Sequence, residues 1–191
     1  MRAHHTTHRT LERLGDERGV ALIISLMVML LLTALGLALT MTTITETKIT
    51  GNYAKGTEAL YAADAAVERV MQDLLTVPDW DKVLDGTTTS AFIDGLPSGE
   101  RDMPDGSRIN LTEATNMLRC GKVTTCADAD LIALTDQRPW GSNNPRWQLY
   151  AYGPLEQMIP TETINSALYV IVWAADDPAE NDNNPLKDGG T

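Results

Sequence analysis

The chain has 191 residues, 43% of them hydrophobic, and a formal net charge of −11. Such an acidic chain lacks the clustered Lys and Arg that neutralise phosphates, which argues against a nucleic-acid-binding protein. All three histidines lie in the first eight residues, so the rest of the chain has no imidazole for a catalytic triad or a histidine-ligated metal. Neither a P-loop nor a dinucleotide-binding glycine pattern occurs, and we therefore expect no enzyme.

The first predicted element is a transmembrane helix over residues 20–41, in a stretch that carries no charge from residue 20 to residue 45. About 20 apolar residues, each rising about 1.5 Å, cross the hydrocarbon core of a bilayer. Basic residues precede this segment at Arg2, Arg9, Arg13 and Arg18, and the next one follows only at Lys48. The positive-inside rule then leaves residues 1–19 in the cytoplasm and exports the rest of the chain in a single pass.

The junction before this helix reads Glu17-Arg18-Gly19-Val20, with a basic residue and a glycine directly ahead of the apolar run. A cleavage site here would lie on the cytoplasmic side of the membrane, where an ordinary signal peptidase does not act. A charged helix start with an incidental glycine would have the same sequence. The junction alone leaves both interpretations open.

An amphipathic stalk helix is predicted to follow over residues 42–77. Apolar side chains recur there every seven positions, at Tyr53, Leu60, Val67 and Leu74. This seam would pack partly on the protein's own head and partly on neighbouring subunits. Threonines and Gly51 are poor helix formers, so residues 42–51 are expected to form a loosened joint, and Pro78 marks the end of the helix.

Together these segments resemble the type IV pilin superfamily, and within it the PilX-type minor pilins. The matching segments are Arg18-Gly19-x-Ala21-Leu22, the Leu-rich residues 30–36, Thr50-Gly51-Asn52 and the Ala-rich residues 59–68. The resemblance covers about residues 17–75. It implies a pilin-like α+β fold, in which a long amino-terminal transmembrane and stalk helix packs on a small antiparallel β-sheet head.

The same resemblance implies how the chain is processed and where it acts. Prepilin peptidase would recognise Arg18 and Gly19 and cleave after Gly19, and Val20 would become the N-methylated terminus. The helix would then leave the inner membrane for the pilus, its base or its tip, with the head in the periplasm. The implied partners are other minor pilins, a PilY-like tip adhesin, the major pilin, prepilin peptidase and the inner-membrane assembly platform.

One position departs from the pattern of the major pilins. They usually carry Glu as the fifth mature residue, and this chain has Ile24 there. A carboxylate in lipid is costly unless it is paired, and in the family it is thought to pair with the terminal amine of the subunit above. Because Ile24 cannot make that pair, we expect a low-copy subunit that helps to initiate or prime assembly near the filament tip.

The head is predicted to span residues 78–175 and to contain three to five antiparallel strands against one helix. The turn signal Asp105-Gly106 precedes a strand at 108–112 and predicts a hairpin there, and two further strands are predicted at 147–152 and 167–173. The last is apolar on both faces, so it is expected to be central and covered by the stalk helix.

Cys120 and Cys126 are separated by five residues. In an exported, oxidising compartment this spacing predicts a local disulfide. A thiolate metal site would need further Cys or His ligands, which the exported part of the chain does not contain.

Residues 176–191 are predicted to be a disordered polar tail, and their abrupt end would also fit a longer chain that continues into a closing strand. The tail has carboxylates that are weak calcium candidates, at Asp176, Asp177, Glu180 and Asp182. Their spacing is not that of an EF-hand. No other metal and no cofactor is expected.

Two other interpretations stay open at this stage. A K-type minor pseudopilin of type II secretion also lacks the Glu and caps a pseudopilus, although its head is normally larger. A single-pass anchored periplasmic protein without a filament role would be a sensor, or a hydrolase using two carboxylates from Asp79, Asp81, Asp102 and Asp105. Their spacing indicates nothing beyond solvated loop charge.

Overall fold

The computed structural model describes residues 13–103, 105–135, 137, 144–159, 166–180 and 182–189. In chain order the elements are α1 (Arg13–Leu74), α2 (Asp81–Leu84), β1 (Glu100–Asp102), β2 (Arg108–Asn110), α3 (Leu111–Cys120), α4 (Asp128–Thr135), β3 (Gln148–Pro154), α5 (Leu155–Met158) and β4 (Tyr169–Ala174). The chain forms two compact units, Met1–Gly56 and Thr57–Thr191. With one long apolar helix and small antiparallel sheets, the fold is α+β and pilin-like, as the sequence predicts.

The described part of the first unit is α1, and every side chain from residue 19 to residue 56 is exposed. The helix is long and apolar enough to cross a membrane. It is uninterrupted at residues 42–51, where the sequence predicts a loosened joint. The threonine hydroxyls there donate to carbonyls four residues earlier, from Thr42, Thr43, Thr45 and Thr47. Their polar groups are therefore satisfied within the helix.

In the second unit α1 packs on the head with one narrow face. The buried positions lie four residues apart, at Ala62, Ala66 and Val70, and Leu74 is partly buried. Two members of the predicted seam are not on this face, because Leu60 is 60% exposed and Val67 is 49% exposed. Small alanines, rather than these larger side chains, allow the sheet to approach the helix closely, and the packing of Leu60 and Val67 on neighbouring subunits stays a prediction.

Strands β3 and β4 form an antiparallel pair with an irregularity between Leu149 and Ala151. The other edge of β3 is bonded to a segment at residues 90–94: the Ser90 amide donates to the Tyr150 carbonyl and the Tyr152 amide donates to the Phe92 carbonyl, both at 3.0 Å. Among the described strands β4 pairs with β3 alone. The prediction that this strand is central was wrong, and β3 is the inner strand.

The apolar character of both faces of β4 has a different cause from the predicted one. Val170 and Val172 lie on the core cluster that includes the alanines of α1. Tyr169, Ile171 and Trp173 pack against a second cluster around Leu111, the first residue of α3. Both faces of the edge strand β4 are thus covered. Alanines of α1 cover one face, and the cluster around Leu111 of α3 covers the other.

The predicted hairpin is present, with β1 and β2 antiparallel and Arg101 opposite Ile109. Strand β2 is shorter than predicted, because Leu111 begins α3. The Asn110 side chain caps that helix by accepting hydrogen bonds from the amides of Thr112 at 3.0 Å and Glu113 at 3.2 Å. Leu111 is fully buried as a helical residue, although its alternation with Ile109 is typical of a strand.

Candidate functional sites

The predicted processing site lies inside α1. A methyl group added to Gly19 would meet no atom within 4 Å, and the same holds for Gly36, Gly51 and Gly56. None of these four glycines has a left-handed backbone. Gly in a helix costs about 0.5–1 kcal/mol relative to Ala, and no close contact among the described residues requires glycine at these positions.

The side-chain hydroxyl groups in the apolar part of α1 are hydrogen-bonded to carbonyl groups of the same helix. Ser25 donates to the Leu22 carbonyl at 2.8 Å, Thr33 to the Met29 carbonyl at 2.8 Å and Thr40 to the Gly36 carbonyl at 2.9 Å. Such bonds make hydroxyls tolerable in lipid. Ile24, at the position of the usual pilin Glu, is 56% exposed in the same stretch of helix.

Cys120 and Cys126 are joined in a disulfide, with their Cα atoms 6.1 Å apart. The bridge closes the loop that follows α3, in which Gly121 has a left-handed backbone and its amide donates to the Met117 carbonyl at 3.0 Å. Lys122, within the loop, forms an ion pair with Asp130 of α4. The disulfide therefore joins the end of one helix to the start of the next, in an otherwise exposed loop.

A cluster of polar side chains holds the loop between residues 94 and 99. Arg101 donates to the Asp94 carbonyl at 2.9 Å, and Tyr152 donates its hydroxyl to the Gly95 carbonyl at 2.7 Å. Tyr169 bonds the Asp94 carboxylate at 3.2 Å. Burial, and then the Asp94 charge, raise the pKa of Tyr169 to about 12. Each of these groups is hydrogen-bonded to another residue of the head, so the role of the cluster is to stabilise the fold.

The carboxylates considered for a hydrolase each have a polar partner. Asp79 pairs with Lys82 at 3.3 Å and Asp102 with Arg108 at 2.8 Å. Asp81 accepts from the Asp188 amide at 2.9 Å, and Asp105 accepts from the Ser107 amide at 2.9 Å. Each of the four carboxylates is thus bonded to a cation or to a backbone amide.

A groove of about 360 Å³ between α1 and β4 has no carboxylate in its lining. Alanines and Val67 from the helix face apolar residues 168–173 of the strand side, where Tyr169 is the one titratable group. It does not provide the acid and base that a hydrolase needs.

The structure brings together three of the four calcium candidates. A carboxylate oxygen from each of Asp176, Glu180 and Asp182 lies within 4.8 Å of those of the other two. Asp177 is exposed and lies outside this group, with its Oδ1 accepting from the Ala179 amide at 2.8 Å. Most of the segment predicted to be disordered is described, as a loop after β4. Whether this segment is disordered in solution stays a prediction.

A long exposed helix that is apolar enough to cross a membrane, continued by a face that packs on a small antiparallel sheet, is typical of a pilin-like protein. The PilX N-terminal family model matches residues 18–68, which is 51 of the 191 residues. This match supports an assignment to the PilX-type pilins, over the part of the chain that it covers. Comparisons with curated proteins and with solved structures find no significant match.

Proposed function

We propose that this chain is a PilX-type minor pilin that is cleaved by prepilin peptidase after Gly19 and then helps to prime pilus assembly near the filament tip. The observation that carries the proposal is the exposure of residues 19–56 of α1 within the PilX N-terminal match. At about 1.5 Å per residue these 38 residues extend about 57 Å, nearly twice the hydrocarbon core of a bilayer. A helix of this kind needs lipid first and then neighbouring helices to cover it.

The position of Gly19 supports cleavage on the cytoplasmic side. The helix has room for alanine at this residue, yet the chain places glycine there, next to Val20 and the start of the apolar run. Recognition by a peptidase that needs glycine would explain the choice. Val20 would then carry the new amine and receive the methyl group.

Ile24 supports a place at the tip. An incoming subunit with a carboxylate at this depth would need a positively charged partner on the subunit above it, since an unpaired carboxylate in lipid is costly. Ile24 has no charge to neutralise, so this subunit can enter assembly with nothing above it. The arginines before the apolar run support a precursor in the inner membrane whose leader is in the cytoplasm and whose head is in the periplasm.

The partners follow from this position. Other minor pilins and the major pilin would cover the exposed helix, and a PilY-like adhesin would contact the head at the tip. Prepilin peptidase and the inner-membrane assembly platform would act before the subunit enters the filament.

Mass spectrometry of the amino terminus tests the proposal. In cells with prepilin peptidase the purified chain should begin at a methylated Val20, and in cells without it the leader should remain. Gly19→Ala should block cleavage, whereas Gly36→Ala should not. Both helix positions have room for an alanine side chain, so a difference between the two variants reports recognition by the peptidase and not a disturbed helix. An intact leader in cells with an active peptidase would refute the proposal.

The absence of Glu at Ile24 also fits a K-type pseudopilin. A fractionation experiment separates the two functions. Recovery of the processed chain with sheared pili supports the pilus assignment. Its loss from pili, together with a secretion defect when the gene is deleted, would support the pseudopilin.

A further inference from the structure

The loop after β4 collects acidic side chains around one buried carboxyl group. Asp176 is 5% exposed, two residues beyond the last residue of the strand, and its Oδ2 has no hydrogen-bond partner among the described residues. A buried carboxylate oxygen without a partner is unfavourable by several kcal/mol unless a proton or a cation compensates it.

The charged groups acting on Asp176 have the wrong sign to compensate it. They are the carboxylates of Glu180, Asp182 and Asp188, while the Asp177 amide gives the Asp176 carboxyl group one hydrogen bond. The site therefore concentrates acidic side chains around a buried carboxyl group.

We infer that Asp176, Glu180 and Asp182 bind one Ca²⁺ ion in the loop that follows β4. Two oxygens on the same Ca²⁺ ion are at most about 5 Å apart, since each lies about 2.3–2.6 Å from the metal. The three carboxylates, within 4.8 Å of one another, already meet this condition. Unlike an exposed cluster of acids, this one includes a buried carboxyl group, one of whose oxygens has no hydrogen-bond partner among the described residues.

Calcium fits the donor set better than other common ions. All three side chains supply hard oxygen ligands, and zinc in proteins is usually held by Cys or His as well. Magnesium is usually held by only one or two carboxylates and keeps several waters. A loop with three convergent carboxylates suits the larger, more adaptable Ca²⁺ coordination sphere.

The surrounding loop is already folded around the three ligands. The Asn184 amide donates to Asp182 Oδ1 at 2.8 Å, and the Gly189 amide donates to Glu180 Oε2 at 3.3 Å. The Asp188 amide donates to Asp81 at the start of α2, at 2.9 Å. An ion shared by these carboxylates would therefore hold the loop against the α2 end of the head.

Titration of the full chain in detergent with Ca²⁺, after removal of metals by a chelator, tests the site. We expect one Ca²⁺ per chain with a dissociation constant on the order of 10⁻⁴–10⁻³ M, the range of extracellular calcium modules. Calcium should raise the unfolding temperature, because the ion binds the folded state only. Mg²⁺ should bind at least tenfold more weakly. The test is independent of the pilus assignment, since it needs neither peptidase nor filament.

Three variants separate this site from nonspecific binding. Asp176→Asn and Glu180→Gln should each weaken calcium binding at least tenfold, and the exposed Asp128→Asn should leave it unchanged. Without calcium, Asp176→Asn should unfold at the same or a higher temperature than the wild type, because it removes an uncompensated buried charge. Glu180→Gln keeps the test decisive if the Asp176 variant misfolds.

Two results would overturn the inference. One is a wild-type chain that binds no Ca²⁺ at about 5 mM, well above the expected dissociation constant. The other is binding that Asp176→Asn and Glu180→Gln leave unchanged, which would place the ions on scattered surface carboxylates.

Discussion

The Tyr150 hydroxyl donates a hydrogen bond to the carboxylate of Asp73 at 3.1 Å and thereby ties strand β3 to the last turn of α1. Tyr150 is 2% exposed, so this polar contact lies at the edge of the core that the helix and sheet share. It joins residues 77 positions apart in the chain. The contact is thus a sensitive measure of whether α1 stays docked on the head.

Replacing Tyr150 by Phe should lower the free energy of unfolding at pH 7 by about 1–2 kcal/mol, because Asp73 loses a charged hydrogen bond. Denaturant unfolding followed by circular dichroism measures the change. Tyr61→Phe is the matched control, since Tyr61 lies on the same helix with 68% exposure and should change stability little. Equal effects of the two substitutions would contradict the role given to the contact.

The same tyrosine predicts an alkaline loss of stability. Burial and the Asp73 hydrogen bond raise the pKa of Tyr150 to about 12 from an ordinary value of 10. Because the folded-state pKa is the higher one, this stabilisation is complete below pH 10 and is lost as the pH rises from 10 to 12. The free energy of unfolding should fall in that window by about 2 kcal/mol for this group.

Tyr150→Phe should make that alkaline fall smaller, while Tyr61→Phe should leave it as in the wild type. Tyr169 contributes to the part that remains, since burial raises its pKa to about 12 as well. A wild-type stability that stays flat from pH 9 to pH 12 would contradict both assignments.

Because Asn110 caps α3, two substitutions at this residue should lower the stability of the protein to different degrees. Asn110→Ala should cost about 1 kcal/mol of stability, because two amides at the start of the helix lose their acceptor. Asn110→Asp should retain most of it, since Asp is an equally good cap. Thermal unfolding of the three chains gives the order. A fully stable alanine variant would show that the cap contributes nothing.

Removal of the disulfide should have a modest effect. The loop closed by Cys120 and Cys126 is short, so the double replacement by Ala should cost about 2 kcal/mol in the chain-entropy account. Chemical unfolding in the absence of reductant measures the difference. Reductant should destabilise the wild type by a similar amount and leave the double variant unchanged. Sensitivity of the double variant to reductant would exclude the disulfide as the cause.

Ile24→Glu tests the placement of the subunit at the tip. If the absence of a carboxylate at this depth allows entry with nothing above, the variant should reduce pilus number several-fold or move the subunit away from the tip. Counting pili and locating the subunit by immunogold labelling measure both. Ile23→Glu controls for the cost of a charge in lipid, about 3 kcal/mol at the bilayer centre. Normal pilus number and placement in Ile24→Glu would count against the tip argument.

Some elements of the head were readable because their signals are local. The hairpin at Asp105-Gly106 was predicted from turn chemistry, and the strands near 148–154 and 169–174 from runs of apolar and aromatic residues. The start of α3 was missed although a signal for it exists. Asn110 and Glu113 stand three residues apart, as in a capping box, and the Asn110 amide group contacts Glu113 at 3.3 Å.

Other features carry no local signal. The buried face of α1 runs through Ala62 and Ala66, which a hydrophobic pattern ranks below Leu60 and Val67. The burial of these alanines depends on how closely β3 and β4 approach the helix. The segment at residues 90–94 beside β3 likewise has no strand pattern of its own and is held by backbone hydrogen bonds to Tyr150 and Tyr152.

The amino-acid sequence by itself determined the long apolar helix, its arginine-flanked junction at Gly19 and the pairing of two nearby cysteines, because each depends on neighbours within a few residues. Only the tertiary structure decided which face of α1 is buried and that Asp176, Glu180 and Asp182 converge on one point. The physical reason is that burial and convergence arise from the folding of a loop and a sheet onto distant residues. A carboxylate in a polar loop looks the same along the chain whether it is solvated or enclosed.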